Sequence, residues 1–319
     1  MSSSSAPTSA NPPRPSVPPR PSAAVIVVNA RNEVLMVQRN PNASNFANAH
    51  VFPGGNWDEK QDGEGGLALT AIRELFEETG LLLAHPPPSG RMPSDAELDA
   101  AREDIHAQRR MFTDFLAQHA LRPNVEALLP FTQWITPPMM SPRRFHAHFY
   151  VAFLLDASPA SSSSSPTTGD RHDRLPTPDG GAEVVAARFA HPERVLADAA
   201  AHRIALFAPQ FYLLRTLAGL LAGPASRAPQ REQVRALARG AFGRMVVNPR
   251  PVPDADADRD GWSVLAYEGD EARGGPRGRR HRCRIRPSAV VATSDIVLER
   301  NFDIFTELEE TLGHGAARL

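Results

Sequence analysis

Two hydrophobic rhythms alternate along this chain, one with the period of a strand and one with the period of a helix, and together they predict an α/β fold. Residues 23–39 read Ala-Val-Ile-Val-Val, a polar turn over 29–32, then Val34-Leu-Met-Val-Gln-Arg39, which predicts two β-strands joined as a hairpin. Phe52-Pro53-Gly54-Gly55 closes a short extended segment, and a polar loop follows. Over 67–79 the residues Leu69, Ile72, Leu75 and Phe76 share one face of a predicted helix, and Gly80 is placed to stop it in the left-handed conformation. Ser94-Asp95-Ala96-Glu97 has the form of a capping box opening a further helix to about residue 109, with Phe112, Phe115 and Leu116 continuing at helical spacing. Strands return over 132–136 and 144–155. In the second, Phe145, Ala147, Phe149, Val151 and Phe153 alternate with Arg144, His146, His148 and Tyr150, which predicts one buried and one polar face. Residues 183–189 predict another strand and 191–221 helix with a break near Pro209. Weaker strand patterns lie around Val264 and over 283–291.

Composition changes this picture mainly at its edges. Residues 1–22, 157–181, 249–260 and 273–282 are low in complexity, rich in Ser/Pro/Ala, Asp/Pro/Ala or Gly/Arg, and are expected to lack the apolar surface that ordering requires. The expected organisation is a disordered tail over 1–22 and a catalytic domain over 23–221, with a helical insert at about 94–120 and a low-complexity insert at 157–181. A partly disordered extension over 222–319 would pack on that domain. At 41% apolar residues the core is ample, and a formal charge of -1 gives no global field for nucleic acid or an anionic membrane. The chain's one cysteine, Cys283, excludes an intrachain disulfide framework and has no catalytic motif around it. The apolar run over 204–221 is broken by Pro209, Gln210 and Arg215, so no membrane span is expected.

The chemistry is concentrated on the helix over 67–79. Glu74, Glu77 and Glu78 stand at i, i+3 and i+4, so three carboxylates share the face opposite the apolar stripe and repel one another unless a cation joins them. Arg73 lies four residues before Glu77 and can hold that carboxylate as an ion pair. A Mg²⁺ ion takes few protein carboxylates and completes its shell with water and phosphate oxygens, which points to diphosphate hydrolysis.

The string Arg73-Glu74-Leu75-Phe76-Glu77-Glu78-Thr79-Gly80-Leu81, after the turn at Gly54-Gly55, resembles the Nudix box, G-x5-E-x7-R-E-U-x-E-E-x-G-U with U aliphatic. That resemblance implies a Nudix-type α/β/α sandwich with a mixed sheet, here with a helical insertion and disordered loops. It also implies Glu77 and Glu78 as the principal Mg²⁺ ligands, with Mn²⁺ as a substitute, Glu74 as a further ligand or water-orienting group, Arg73 as their orienting partner, and a metal-facing carbonyl at Gly55. Residues 56–66 are about four longer than the box allows, so its first glutamate has no aligned counterpart. Asp58, Glu59, Asp62 and Glu64 are the candidates, each expected as a solvated loop acid.

The approach Leu35-Met-Val-Gln-Arg39-Asn-Pro…Phe46…His50-Val51-Phe52-Pro53-Gly54-Gly55 resembles the Nudix subgroup acting on coenzyme A, although Asn40, Ser44 and Asn48 depart from its signature. Trp134-Ile-Thr136-Pro…Ser141-Pro142-Arg143-Arg144-Phe145, with the inserts, is similar to the peroxisomal CoA diphosphatases of the nudix-motif-19 type. This implies a CoA or acyl-CoA substrate, cut to 3′,5′-ADP and (acyl-)4′-phosphopantetheine. Arg39 and Arg144 are candidate phosphate-holding residues, since a guanidinium binds two oxygens at once. Glu183 is a candidate catalytic base. His50, His146 and His148 are candidates for substrate contact, with exposure on a polar strand face as the plainer expectation. Ala317-Arg318-Leu319 has the small-basic-leucine form of a peroxisomal address, which implies an import receptor as partner and a peroxisomal location, otherwise a cytoplasmic or mitochondrial one. The competing expectations are a Nudix pyrophosphatase for ADP-ribose or NADH and a non-catalytic binding protein on the same scaffold.

Overall fold

Strands that carry apolar residues on both sides must be covered on both faces, and the two N-terminal strands are of this kind. In the computed structural model, which describes residues 17–43, 47–87, 90–138, 143–154, 175–254, 260–286 and 295–308, β1 (Arg20–Val28) and β2 (Val34–Arg39) form the expected hairpin. β3 (His50–Val51) and β4 (Gly54–Asn56) follow, pairing with β2 and β1. Then come α1 (Glu59–Asp62), α2 (Gly66–Thr79) and β5 (Ala84–His85). The helical insert consists of α3 (Asp95–His106) and α4 (Phe112–Gln118), and β6 (Arg122–Pro123) closes a ribbon with β5 behind it. β7 (Leu129–Ile135) and β8 (Phe145–Phe153) are antiparallel, and β8 runs parallel to β1 over its whole length. β9 (Val184–Ala190) adds to β2, and α5 (Pro192–Ala200) and α6 (Ala208–Leu220) return over the sheet.

The result is an α/β/α sandwich on a mixed sheet, and β1 shows how it is built. Val25 and Val27 enter a core with Ile72, Leu75, Phe76, Phe112 and Phe115 from α2 and α4. Ile26 and Val28 enter the opposite core with Leu213, Leu217, Phe242 and Tyr267. β8 departs from the expected single polar face for the same reason. Tyr150 and Ala152 pack into the first core while Phe149, Val151 and Phe153 pack into the second, and only its N-terminal half remains partly exposed.

The C-terminal part is more ordered than its composition suggests. It supplies α7 (Ala228–Arg239), α8 (Ala241–Arg244) and β10 (Val246–Val247), the last of which pairs in parallel with β7. Val234, Leu237, Phe242 and Met245 are buried in the second core. At roughly 1.5–3 kcal/mol for each fully buried large apolar side chain, these four rival the net stability of a whole domain. The extension is therefore integral to the fold.

An antiparallel sheet of β11 (Arg250–Val252), β12 (Ser263–Ala266), β13 (His281–Arg286) and β14 (Asp295–Arg300) follows. β11 lies inside the low-complexity 249–260 stretch, and the Gly/Arg stretch over 273–282 is tied down by charge where apolar area is lacking. Asp270, fully buried, accepts from Arg282 Nε at 2.7 Å and from the backbone N–H of His281 and Ala272 at 2.8 Å, and Arg273 pairs with Glu268 at 2.6 Å. β1 likewise begins at Arg20, inside the expected tail, because Arg20 to Ser22 pair with Phe145 to Ala147. Phe46, Ser44, Ser141-Pro142, residues 287–291 and Ala317-Arg318-Leu319 lie outside the described residues. Among the described residues no helix is long and apolar enough to cross a membrane.

His281 is buried at the junction of the two sheets. Its Nδ1 donates to the Glu268 carbonyl at 2.6 Å, and in the neutral ring its Nε2 accepts from the Tyr212 hydroxyl at 2.8 Å. Burial holds its pKa down at about 4. Because the folded value lies below the unfolded one, near 6.5, this contribution to stability is whole above pH 6.5 and is lost as pH falls toward 4. Urea unfolding should therefore show about 2 kcal/mol lost from this residue between pH 7 and pH 5. A His281→Gln variant should lack that part of the pH slope, and equal slopes in both proteins would refute the assignment.

Candidate active site

α2 sets the site. Its apolar face packs on β1, its C-terminus stops at Gly80 with φ 73°, and its opposite face carries Arg73, Glu74, Glu77 and Glu78. The helix is anchored through Arg73, which is 4% exposed and donates along its whole guanidinium. Nε and Nη2 donate to Asp62 at 2.7 and 3.1 Å, Nη1 to Glu74 and Glu77 at 2.8 and 2.9 Å, and Nη2 also to the Asn56 carbonyl at 3.0 Å. The expected Arg73–Glu77 pair is present, but Asp62 is the closest partner.

Asp62 was expected as a solvated loop acid and is instead fully buried. The stretch before α2 folds as α1, capped by Asp58, whose side chain accepts from the Lys60 N–H. That turn carries Asp62 inward, where it also accepts from Thr70 Oγ1 at 2.8 Å and from the Asp58 N–H at 2.9 Å. The extra residues of the loop are thus spent on a helical turn that delivers a carboxylate to Arg73. The candidates Asp58, Glu59 and Glu64 make no bond with Arg73.

Two glycines let β4 come close. A Cβ at Gly54 would stand 2.4 Å from the Ala23 carbonyl oxygen, and one at Gly55 would stand 2.3–2.5 Å from the Glu74 carboxylate, which lies directly over it. The Gly54 N–H donates to Glu78 Oε2 at 3.0 Å. Arg39, at the end of β2, reaches Glu78 at 3.4 Å and Glu183 at 3.1 Å and keeps an unpartnered Nε. Glu183 precedes β9 and is set by Asp179, whose carboxylate accepts the Glu183 N–H at 2.8 Å and the Gly181 N–H at 3.0 Å.

The helical insert contributes two residues that the sequence pattern did not single out. Arg102 and His106 stand at i and i+4 on α3. Arg102 Nε donates to the Glu77 carbonyl at 2.7 Å, and its other nitrogens hold Thr177 through hydroxyl and carbonyl at 3.0 and 2.9 Å. His106 Nδ1 is 3.7 Å from Glu77 Oε2, and that carboxylate raises the His106 pKa. Their spacing on one helix face was the available signal, but nothing in it named Glu77 as the target.

These residues border a cleft of about 550 Å³ that brings two chemically distinct sets of side chains together. Arg39, Arg73, Glu74, Glu77, His106 and Glu183 line it, and so do Trp134, Phe145, Phe149, Phe207, Leu265 and Ile285. Glu78 is buried beside the cleft without lining it. The expected phosphate residue Arg144 is not brought there. Its Nε donates to the Thr136 carbonyl at 2.8 Å and its Nη1 to the Val17 carbonyl at 3.0 Å, so it fastens strand ends. The His146 and His148 rings lie tilted against each other with centroids 4.7 Å apart, half-buried, on strand positions alternate to the cleft-lining Phe145, Ala147 and Phe149. His50 is buried against a separate hollow near Arg188 and Asp198. Cys283 is buried, with its thiol pushed up to about 12, and is no nucleophile.

The electrostatics point to a cation. Burial pushes the Glu74 carboxyl up to about 7 against the pull of Arg73, with Glu77 and Glu183 adding to the rise. Burial and then the Glu74 charge lift Glu78 well above the carboxylate range. Burial acts on Glu77 too, but His106 and Arg73 outweigh it and hold it below its ordinary value. Asp62, Glu74, Glu77, Glu78 and Glu183 are thus met by Arg39, Arg73 and His106 among the described residues. Among the described residues no three such groups stand at ligand spacing around one point, since Arg73, His106, Arg39 and the Gly54 N–H engage the carboxylates. The donor chemistry, an excess of carboxylate oxygen with no thiolate, fits a hard divalent cation.

A family model described as the NUDT19 Nudix domain matches residues 63–217. The chain is 25% identical over 242 residues to the acyl-coenzyme A diphosphatase NUDT19 of Xenopus laevis, covering 58% of this chain and 59% of that protein. It is 26% identical over 242 residues to the Homo sapiens protein of the same name, covering 58% and 60%. It therefore spans about 60% of the length of the curated relatives it matches. A NUDIX hydrolase from Alicyclobacillus acidocaldarius aligns with a TM-score of 0.49 and 20% identity, over 67% of this chain and 96% of that one.

Removing Asp62 would leave Arg73 buried without its closest partner. Asp62→Ala should destabilise the protein by about 3–5 kcal/mol in urea unfolding, and a loss under about 1 kcal/mol would show that the pair does not organise the loop. Gly55→Ala should act differently, because its Cβ meets the far end of the Glu74 side chain. Melting temperature should barely move while turnover falls at least about tenfold, and full turnover would mean that the Glu74 carboxylate is not held where the reaction uses it.

Proposed function

The chain belongs to the Nudix hydrolases, with a domain of the NUDT19 type, and from that premise we propose that it hydrolyses the diphosphate of coenzyme A or an acyl-CoA. The products would be 3′,5′-ADP and 4′-phosphopantetheine or its acyl form. The observation that carries this reading is the cleft itself, where carboxylates held by Arg73 and a set of aromatic and aliphatic side chains line one cavity. The two named relatives, both described as acyl-coenzyme A diphosphatases, support it.

Glu74, Glu77, Glu78 and the Gly55 carbonyl are the groups that would hold Mg²⁺, or Mn²⁺ in its place. Such an ion, when bound, neutralises the diphosphate and lowers the pKa of a coordinated water. Arg73 keeps Glu74 and Glu77 in place from one side, and His106 holds Glu77 from the other. Arg39, whose side chain lines the cleft, binds a phosphate oxygen. Glu183 is half-exposed with one carboxylate oxygen held by Arg39, and its other oxygen takes the proton of the attacking water. The water oxygen joins one phosphorus, the bridging P–O bond breaks, and the bridging oxygen leaves on the other phosphate.

Incubation of the purified chain with Mg²⁺ and CoA, octanoyl-CoA, NADH or ADP-ribose, followed by chromatography of the products, tests the substrate. CoA species should give 3′,5′-ADP, and their survival while NADH or ADP-ribose is cut would sink the reading. Glu77→Gln should lower turnover by at least about a hundredfold. Arg39→Met should raise KM by about tenfold or more, as expected for a lost charge-assisted bond to phosphate.

A further inference from the structure

The apolar side chains of the cleft come from elements far apart in the sequence, and one further lining residue, Gln210, carries a buried oxygen with no partner among the described residues. Trp134 comes from β7, Phe145 and Phe149 from β8, Phe207 from the turn before α6, and Leu265 and Ile285 from β12 and β13. Leu265 pairs with Cys283 and Ser263 with Ile285, so Leu265 and Ile285 are diagonal neighbours on the face that the C-terminal sheet turns toward the cleft. Thr132 sits at φ 75°, rare for a β-branched residue, where the β7 register shifts, and its hydroxyl accepts the Trp134 indole N–H at 3.0 Å. That bond satisfies the indole within its own strand. Gln210, 9% exposed at the start of α6, also lines the cleft, and its Oε1 has no hydrogen-bond partner. A buried carboxamide oxygen left unpaired on a cleft-lining residue suits a ligand that brings an amide N–H.

Resting on the reading above, we propose that these residues form the site for the amide-bearing, acyl-tipped arm of the substrate. Gln210 pairs with an amide of the pantetheine arm, and Trp134, Leu265 and Ile285 take the acyl chain. The C-terminal sheet then determines which acyl-CoAs are cut. Adenine would suit this site less well, since its base edge carries several polar atoms and Gln210 can satisfy only part of them.

The test is kcat/KM of the full chain for CoA and for acyl-CoAs of increasing chain length, with 3′,5′-ADP as a competitor. In the wild type kcat/KM should climb by up to about fourfold for each methylene buried, until the apolar wall is used up. Leu265→Ala and Ile285→Ala should each flatten that climb. Gln210→Leu should lower kcat/KM for CoA itself by about fivefold or more, through KM. Inhibition by 3′,5′-ADP should be the same in all variants. A flat chain-length profile in the wild type, with CoA still cleaved, overturns the inference and leaves the proposed function standing; this readout needs no variant to fold. A shift in 3′,5′-ADP inhibition in Leu265→Ala or Gln210→Leu also overturns it, because adenine would then occupy this site. If no CoA species is cleaved, the substrate reading falls and this inference falls with it.

Discussion

The site depends on one buried cation. Arg73 is removed from water with its charge intact, at a cost that only a full set of acceptors offsets, and it has that set in Asp62, Glu74, Glu77 and the Asn56 carbonyl. These partners come from α1, α2 and the end of β4. One guanidinium therefore fixes the loop, the strand end and the helix relative to one another, and its planar fork of donors makes the arrangement directional where a lysine would leave it loose. The acidity of the site follows from the same packing. Carboxylates crowded on one buried helix face are not all matched by Arg73 and Arg39, and burial raises Glu74 and Glu78 above the ordinary carboxylate range.

The inserts act through this centre. α3 meets α2 at Glu77, with Arg102 on its carbonyl and His106 beside its carboxylate, and Arg102 also holds Thr177 at the end of the low-complexity insert. The insertion thus braces a site residue from the side opposite Arg73. The C-terminal extension does comparable work on the other face of the sheet, where its helices complete the second core and its sheet brings Leu265 and Ile285 to the cleft. A Nudix-type sandwich so enclosed is more than a platform with a carboxylate helix, since the segments added to it supply part of the cleft's lining.

Charge supplements apolar packing in the Gly/Arg stretch over 273–282 and the turn before it. Asp270 collects two nitrogens of Arg282 and two backbone N–H groups, and the turns around it become fixed although few large apolar residues are available. A low-complexity reading weighs composition alone. It has no means of seeing that one buried acid can satisfy several donors at once, which is a property of where the chain places them.

Helical spacing by itself determined α2, the shared face of Glu74, Glu77 and Glu78, the Arg73–Glu77 pair and the stop at Gly80, because all of these are relations within a few residues of one helix. Alternation likewise determined most strands of the first sheet, and the capping box at Ser94 opened α3 where expected. The tertiary structure alone decided that Asp62 is the buried partner of Arg73, that His106 and Arg102 meet Glu77, and that Arg39 and Glu183 join the acid cluster while Arg144 does not. It also decided that β8 is covered on both faces and that Leu265 and Ile285 wall the cleft. Each of these joins residues from separate elements, and a pattern along the chain records which side of its own strand or helix a residue occupies without recording what will be packed against that side.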